Sequence, residues 1–394
     1  MRYTFGTFTL DTARRELRDG ETDVGLEPQV FDLLVYLLTH RDRVVSADEL
    51  FETIWQGRIV SLSTLTSRIN AARSAIGDSG TAQTCIKTMP RKGYRFVGQV
   101  QVEEKQDAKS ASIPHAPRHE VRFCRSRDGT RIAYSSVGTG QAVVRAGTWL
   151  SHLEYDWQSP LWRHLLHWFS AHSEFVRYDA RGNGLSDWDV DDIAFDSFVD
   201  DLSAVVDAAG LERFALFGAS QSCAVSIAYA VRHPERVSKL VLYGGFAQGR
   251  GQHGKPQTGG RYDAIQTLVR RDWGKDNPFV RQIFTTLFVP DASGEQMRWF
   301  NDTLRTCISP ENAARMRDAI ASIDVRDLLA QVSVPTLVLH CKDDAAVPFK
   351  VGRELAAGIP NARLVALDGV NHVILETDPG WPRFQEEVAN FLAL

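Results

Sequence analysis

The chain is poor in the features that would place it in a specialised class. Its 394 residues include five cysteines, Cys85, Cys124, Cys223, Cys307 and Cys341. They are scattered, odd in number and free of CxxC or CxxH spacing, which excludes a disulfide framework or thiolate zinc site and fits a reducing compartment. No apolar run approaches the roughly 18 residues that cross a bilayer, and residues 31–38 are too few. The N-terminus lacks a basic-then-apolar leader pattern. Internal repeats and long low-complexity tracts are missing. The expectation is a cytoplasmic protein with no metal, no cofactor and no membrane partner.

Strong net charge is missing too: the formal balance is −4. Its distribution is uneven. Residues 1–56 carry 6 Lys/Arg against 11 Asp/Glu, whereas residues 57–100 carry 7 (Arg58, Arg68, Arg73, Lys87, Arg91, Lys92, Arg95) against Asp78 alone. One cationic face inside an acidic protein is what a phosphate backbone requires. At 43% hydrophobic residues, the chain can fill two sizeable cores.

Residues 1–102 read as short strands, three helices and a closing hairpin. Residues 5–10 alternate as one strand, and residues 15–17 are placed to pair with it. Pro28 opens a helix with apolar positions Phe31, Leu34, Val35 and Leu38. Ser46 is an N-cap with Glu49 as capping-box partner. A third helix runs from about Leu62 to Ile76, stopped by Gly77. Its apolar stripe is Leu62, Leu65, Ile69, Ala72 and Ile76; the remaining positions are short or hydrogen-bonding. Residues 103–119 have no periodicity and read as a linker, which as a random coil would span roughly 23 Å. From residue 120 strands alternate with helices, the pattern of a doubly wound, mostly parallel α/β sheet. Core strands are expected at 214–217, 240–243, 336–340 and 363–367. The rhythm stops over about 246–325, a helical and aromatic stretch (Trp273, Phe279, Phe284, Phe288, Trp299, Phe300) expected to cap the strand ends.

The run Ser67-Arg68-Ile69-Asn70-Ala71-Ala72-Arg73, followed by Thr88-Met89-Pro90-Arg91-Lys92-Gly93-Tyr94-Arg95-Phe96, resembles the OmpR-type winged helix over residues 3–100. The resemblance implies a recognition helix in the major groove and a hairpin wing reaching an adjacent groove or backbone. It places Thr64, Ser67, Arg68 and Ala71 nearest the bases, and Asn70, Arg73, Thr88, Arg91 and Lys92 at phosphates or flanking positions. Arg68 is the strongest base reader, since a guanidinium can bond guanine bidentately. Gly93, Tyr94 and Phe96 are implied to be structural. The bland alternative, a solvated basic face, does not explain why the cations fall on this helix and wing. No phosphoacceptor domain accompanies them, so the signal would arrive through the C-terminal half.

There, Leu216-Phe217-Gly218-Ala219-Ser220-Gln221-Ser222 follows a strand and precedes a helix, the setting of a nucleophile elbow. Asp344, in Asp-Ala-Ala-Val-Pro348, and His372, in Gly-Val-Asn-His, complete the chain order Ser, Asp, His. With Asp179-Ala-Arg181-Gly182-Asn183-Gly184-Leu-Ser186, a turn read as structural, these motifs resemble the α/β-hydrolase family over 120–394. The resemblance implies that His372 takes the Ser220 proton while Asp344 orients the ring. Asp343 is the other acid within reach of that role. The amide of Gln221 and the backbone at Thr148 or Trp149 would form an oxyanion hole. The elbow departs from the family pattern in having Ser222 and Cys223 where glycines are usual. Either the substitution is tolerated, or crowding slows turnover and leaves a binding pocket. An oxidation-sensing Cys223 lacks a nearby cation to activate it.

Together the halves imply a one-component transcription regulator. Its winged helix would read double-stranded DNA, as a homodimer, and its hydrolase-like domain would sense a small hydrophobic or aromatic molecule. The rival is an active serine hydrolase of esters or lactones whose turnover is coupled to transcription. A third reading, an N-terminal protein-interaction module, conflicts with the basic helix and wing.

Overall fold

Hydrophobic periodicity of two and of 3.6 residues alternates along this chain, and the computed structural model resolves it into two units, Met1–Ile113 and Pro114–Leu394. The structure describes residues 2–12, 15–20, 22–55, 62–90, 92–103, 120–249, 256–273 and 278–394. Arg91 and most of the expected linker, residues 104–119, lie outside them.

In the first unit, strands β1 (Arg2–Phe5), β2 (Phe8–Asp11), β3 (Glu16–Asp19) and β4 (Thr22–Asp23) form an antiparallel sheet. The alternation over 5–10 belongs to a hairpin and not to one strand. Gly6, at φ +57°, reverses the chain, and Phe5 and Leu10 still reach the same core from opposite strands. Helices α1 (Pro28–Thr39), α2 (Ala47–Trp55) and α3 (Leu62–Ala75) follow. Pro28 occupies the first turn of α1. Ser46 Oγ accepts from Glu49 N at 3.1 Å, whereas the Glu49 carboxylate is taken by Arg43 and Tyr36. Gly77, at φ +66°, ends α3. The wing is the hairpin β5 (Ile86–Met89) and β6 (Gly93–Phe96), and β7 (Gln101–Glu103) returns to pair with β1.

The second unit is built on an eight-stranded sheet. Strands β8 (Val121–Arg125), β9 (Arg131–Val137), β10 (Ala142–Arg145), β11 (Glu174–Tyr178), β12 (Phe214–Ala219), β13 (Val237–Tyr243), β14 (Thr336–Cys341) and β15 (Ala362–Leu367) run in the spatial order β15-β14-β13-β12-β10-β11-β9-β8. In that order every pairing from β15 to β11 is parallel, and β9 pairs antiparallel with both β11 and β8 at one edge. Helices cover both faces: α4 (Leu153–Gln158), α5 (Arg163–His172), α6 (Phe195–Ala208) and α7 (Ser222–Arg232), then α12 (Arg326–Leu329), α13 (Phe349–Gly358) and α14 (Trp381–Leu392). Two buried clusters result, one on each side of the sheet, as parallel strands require. Among the described residues, four helices come between β13 and α12: α8 (Pro256–Asp272), α9 (Pro278–Phe288), α10 (Gly294–Thr306) and α11 (Pro310–Ser322).

The Asp179–Ser186 turn is a scaffold. Arg181 is fully buried and forks onto Asp201 at 2.7 and 2.9 Å. Asp179 accepts the amides of Leu153 and Leu185, and Ser186 Oγ donates to Asp179 O. No described helix is long and apolar enough to cross a membrane.

Candidate DNA-binding surface and candidate active site

Helix α3 has two faces. Leu65, Ile69 and Ala72 are buried in the core with Ile76 just beyond; the side chain of Leu62 lies outside the described residues. Ser67, Asn70 and Ala71 are exposed on the other face beside Ser63 and Thr66, with Thr64 half-buried. Arg68 lies at the flank, where it pairs with Glu27 at the head of α1. A pairing of this exposed kind is worth about 0–1 kcal/mol, so Arg68 can be redirected at little cost.

Arg73, expected at phosphates, is placed otherwise. Arg73 is only 4% exposed. Its Nε and Nη2 donate to Ile86 O at 3.1 and 2.8 Å, and Nη2 also donates to Thr88 Oγ1 at 2.8 Å. Arg73 therefore clamps α3 to the wing, with the Thr88 hydroxyl oxygen accepting from it. Lys92 is exposed, and so is Lys87, which the motif reading passed over. Alternation along β5, with Ile86 buried, could have signalled an outward Lys87. Gly93 holds φ +129°, and a Cβ there would strike the Val45 carbonyl. The Tyr94 amide and carbonyl exchange hydrogen bonds with Val45 at 2.8 Å, and Phe96 packs edge-on to Phe5. The wing is thus fixed by contacts of its backbone and apolar side chains.

In the second unit the chain turns sharply from β12 into α7. Ser220 sits at this turn with φ +54°, a left-handed conformation that costs a non-glycine residue about 1 kcal/mol or more. The strain is held by Ser220 N donating to Tyr243 O at 2.9 Å and Cys223 N to Ser220 O at 3.1 Å. Ser222 fits because its hydroxyl turns back to bond Ala219 N and O, both at 2.9 Å. Cys223 fits because the facing residue is Gly245, where a Cβ would overlap the sulfur. Burial pushes the Cys223 thiol well above its ordinary value, so it is an inert packing group.

Asp344 follows β14, and the amides of Ala346 and Val347 donate to its Oδ1 at 2.8 Å. Its Oδ2 accepts from His372 Nδ1 at 2.7 Å. His340 Nε2 is 3.7 Å from the same oxygen, yet bonds Val347 O at 2.7 Å. Burial holds the His340 ring below its ordinary pKa. His372 follows β15. Its amide bonds Phe288 O at 2.9 Å, and the Phe288 ring meets its imidazole edge-on at 5.3 Å. Asn371 accepts from Asp291 N and donates to Asp378, tying the same loop to the segment after α9.

Ser220, His372 and Gln221 line one narrow cavity of about 50 Å³, together with Thr148, Trp149, Phe288 and Phe300. As it stands that is room for a few waters, so an organic molecule bound here must displace part of the wall. Among the described residues Ser220 Oγ has no hydrogen-bond partner, and no hydrogen bond joins it to His372. The Gln221 and Trp149 amides likewise have no acceptor among the described residues, which leaves them available to a developing oxyanion. Of the other aromatics, Tyr155 packs on Trp299 at 4.6 Å and Trp157 on His167 at 4.9 Å, away from the cavity. Sequence reasoning missed Arg145 and Trp162 in the cavity wall; a charged residue inside the apolar run Ala142-Val143-Val144-Arg145 was the available signal.

Comparison with known proteins agrees with the two folds. Residues 150–379 match the family model described as "alpha/beta hydrolase fold", and residues 20–96 match "Transcriptional regulatory protein, C terminal". The chain is 25% identical over 254 residues to the AB hydrolase superfamily protein YisY of Bacillus subtilis, covering 64% of this chain and 91% of the relative. It is 27% identical over 280 residues to the non-heme chloroperoxidase CPO-A1 of Kitasatospora aureofaciens, covering 68% and 98%. Among solved structures, the bromoperoxidase of Bacillus anthracis superposes with a TM-score of 0.60 at 22% identity, covering 70% of this chain and all (100%) of that one. The enol-lactonase of Burkholderia xenovorans LB400 gives 0.58 at 22%, covering 69% and 100%. These likenesses share the fold.

Proposed function

The chain belongs to the α/β-hydrolase fold family and carries a winged-helix DNA-binding domain, and from this pairing we propose that it is a transcription regulator governed by what its hydrolase pocket binds. The observation that carries the proposal is the union itself. One chain matches a transcriptional-regulator domain over 20–96 and a hydrolase fold over 150–379. In this reading the exposed face of α3 enters the major groove with Ser67, Ala71 and a redirected Arg68 near base edges. Asn70 and Lys92 approach the backbone with Lys87, as does Arg91. A homodimer would set two such helices on paired half-sites. The ligand shifts the DNA-binding equilibrium by its differential affinity for two states of the protein, inside the cytoplasm.

Active hydrolysis is the second reading, favoured by the strained Ser220 and the Asp344–His372 hydrogen bond. His372 would take the Ser220 proton, and the Gln221 amide with that of Thr148 or Trp149 would hold the oxyanion. Both readings are tested by treating the full chain with a fluorophosphonate and titrating DNA selected from a random pool. Labelling that requires Ser220 supports an activated nucleophile. A change of about fivefold or more in DNA affinity on labelling supports coupling, since allosteric linkage is typically about 1–3 kcal/mol. Absence of any salt-dependent DNA binding would refute the regulator reading.

A further inference from the structure

Apart from Thr148, Ser220, Gln221, Tyr243 and His372, the cavity wall is apolar except at one charged residue. Arg145, the last residue of β10, lines it beside Trp162, Leu165 and Phe217. Arg145 is 5% exposed. The described residues include three other buried arginines, and each has acceptors: Arg73 has Ile86 O, Arg177 has Leu153 O and Asp156, and Arg181 has Asp201. Arg145 has no hydrogen-bond acceptor among the described residues, although Asp156 and Asp179 are near enough to act on its charge; its guanidinium lies over the Trp162 ring, 5.2 Å from the centroid. Arg177 stands beside it in register on β11 and takes the nearest carboxylate, Asp156, at 3.6 Å. Part of the guanidinium keeps open surface. Burial pulls the side chain down to about 10, which leaves it cationic at neutral pH.

A buried cation without an acceptor is costly, and a leucine at this position would pack the same wall at no such cost. We propose that Arg145 anchors a carboxylate of the molecule bound in this cavity, which makes that molecule an apolar or aromatic acid. The inference rests on the reading of the cavity as a ligand site. A carboxylate suits the planar guanidinium fork and carries the single negative charge that one open cation can answer. Asp156 and Asp179 lie near this cation, so a doubly charged phosphate would be repelled more strongly than a carboxylate.

Calorimetric titration of the full chain with matched probes tests the assignment: phenylacetate against phenylacetamide, and octanoate against octanamide. The acids should bind roughly 10- to 100-fold more tightly than their amides, the range of a charge-assisted hydrogen bond. Arg145→Gln should erase that ratio while amide binding persists, and Arg145→Lys should restore part of it. A wild-type protein that binds no acid, or binds acid and amide alike, overturns the proposal even if the variants fail to fold. So does a folded Arg145→Gln variant that keeps the preference. The regulator reading fails separately: an acid preference with DNA affinity indifferent to fluorophosphonate labelling leaves the Arg145 assignment standing and removes the coupling.

Discussion

Replacing Arg73 by Met separates two roles that a basic residue on a recognition helix can have. Methionine keeps the length of the stem and removes every donor. The guanidinium contacts Ile86 O twice and Thr88 Oγ1 once, at 2.8 to 3.1 Å, in a buried setting. Hydrogen bonds to charged groups contribute about 1.5–3 kcal/mol each, and acceptors left buried add their own penalty. Because the three share one side chain, the summed cost is about 2–4 kcal/mol and less than additive. The assay is hydrogen exchange of the full chain, followed in peptides from α3, β5 and β6. A loss of that size predicts exchange roughly 30- to 1,000-fold faster there, with peptides of the second unit unchanged. The salt dependence of DNA binding by the folded fraction should keep its slope. If exchange is unaltered while the slope falls by about 0.9, Arg73 is a phosphate contact and the clamp argument is wrong.

Three other outcomes follow from the same geometry. Ser220→Ala should abolish fluorophosphonate labelling, and Asp344→Asn should slow it by about 10³–10⁴-fold because the His372 ring loses its orienting partner; wild-type labelling rates in Asp344→Asn would count against the proposed triad. Gly245→Ala should cost about 1–3 kcal/mol by overpacking Cys223, read by urea unfolding of the second unit, and Cys223→Gly in the same chain should recover most of it; additive losses would mean that the two sites do not share the space. Burial opposes ionisation of Asp78, but the amides of Ile86, Cys85, Thr84 and Ser79 outweigh it and hold the carboxyl well below its usual range. A depressed folded-state pKa means stability that is present above the unfolded value of about 3.9 and lost as pH falls through the folded one. Asp78→Asn should therefore flatten the acid limb of first-unit stability, measured by exchange in the wing peptides; an unchanged limb would show that Asp78 does not carry it.

Much of this architecture is written in local pattern. The 3.6-residue stripe of α3, the cap at Ser46, the stop at Gly77 and the elbow between β12 and α7 each depend on neighbours in sequence, and each appears where its spacing puts it. Direction is harder to read than existence. The alternation over 5–10 survives a chain reversal because both strands of the hairpin face one core, so only Gly6 marked the turn. Arg73 follows Ala72 at the edge of the apolar stripe, and its long stem can send the guanidinium outward or under the wing. The deciding acceptor, Ile86 O, is brought up by the wing hairpin. Arg145 poses the same problem in reverse. A central strand of a parallel sheet is buried on both faces, so an arginine in β10 was bound to be buried, and that much was legible. What answers the charge depends on which carboxylates the fold brings near and which of them are already engaged. Arg73 finds its acceptors within the protein and becomes structure; Arg145 finds no hydrogen-bond acceptor among the described residues and lines the cavity that holds Ser220.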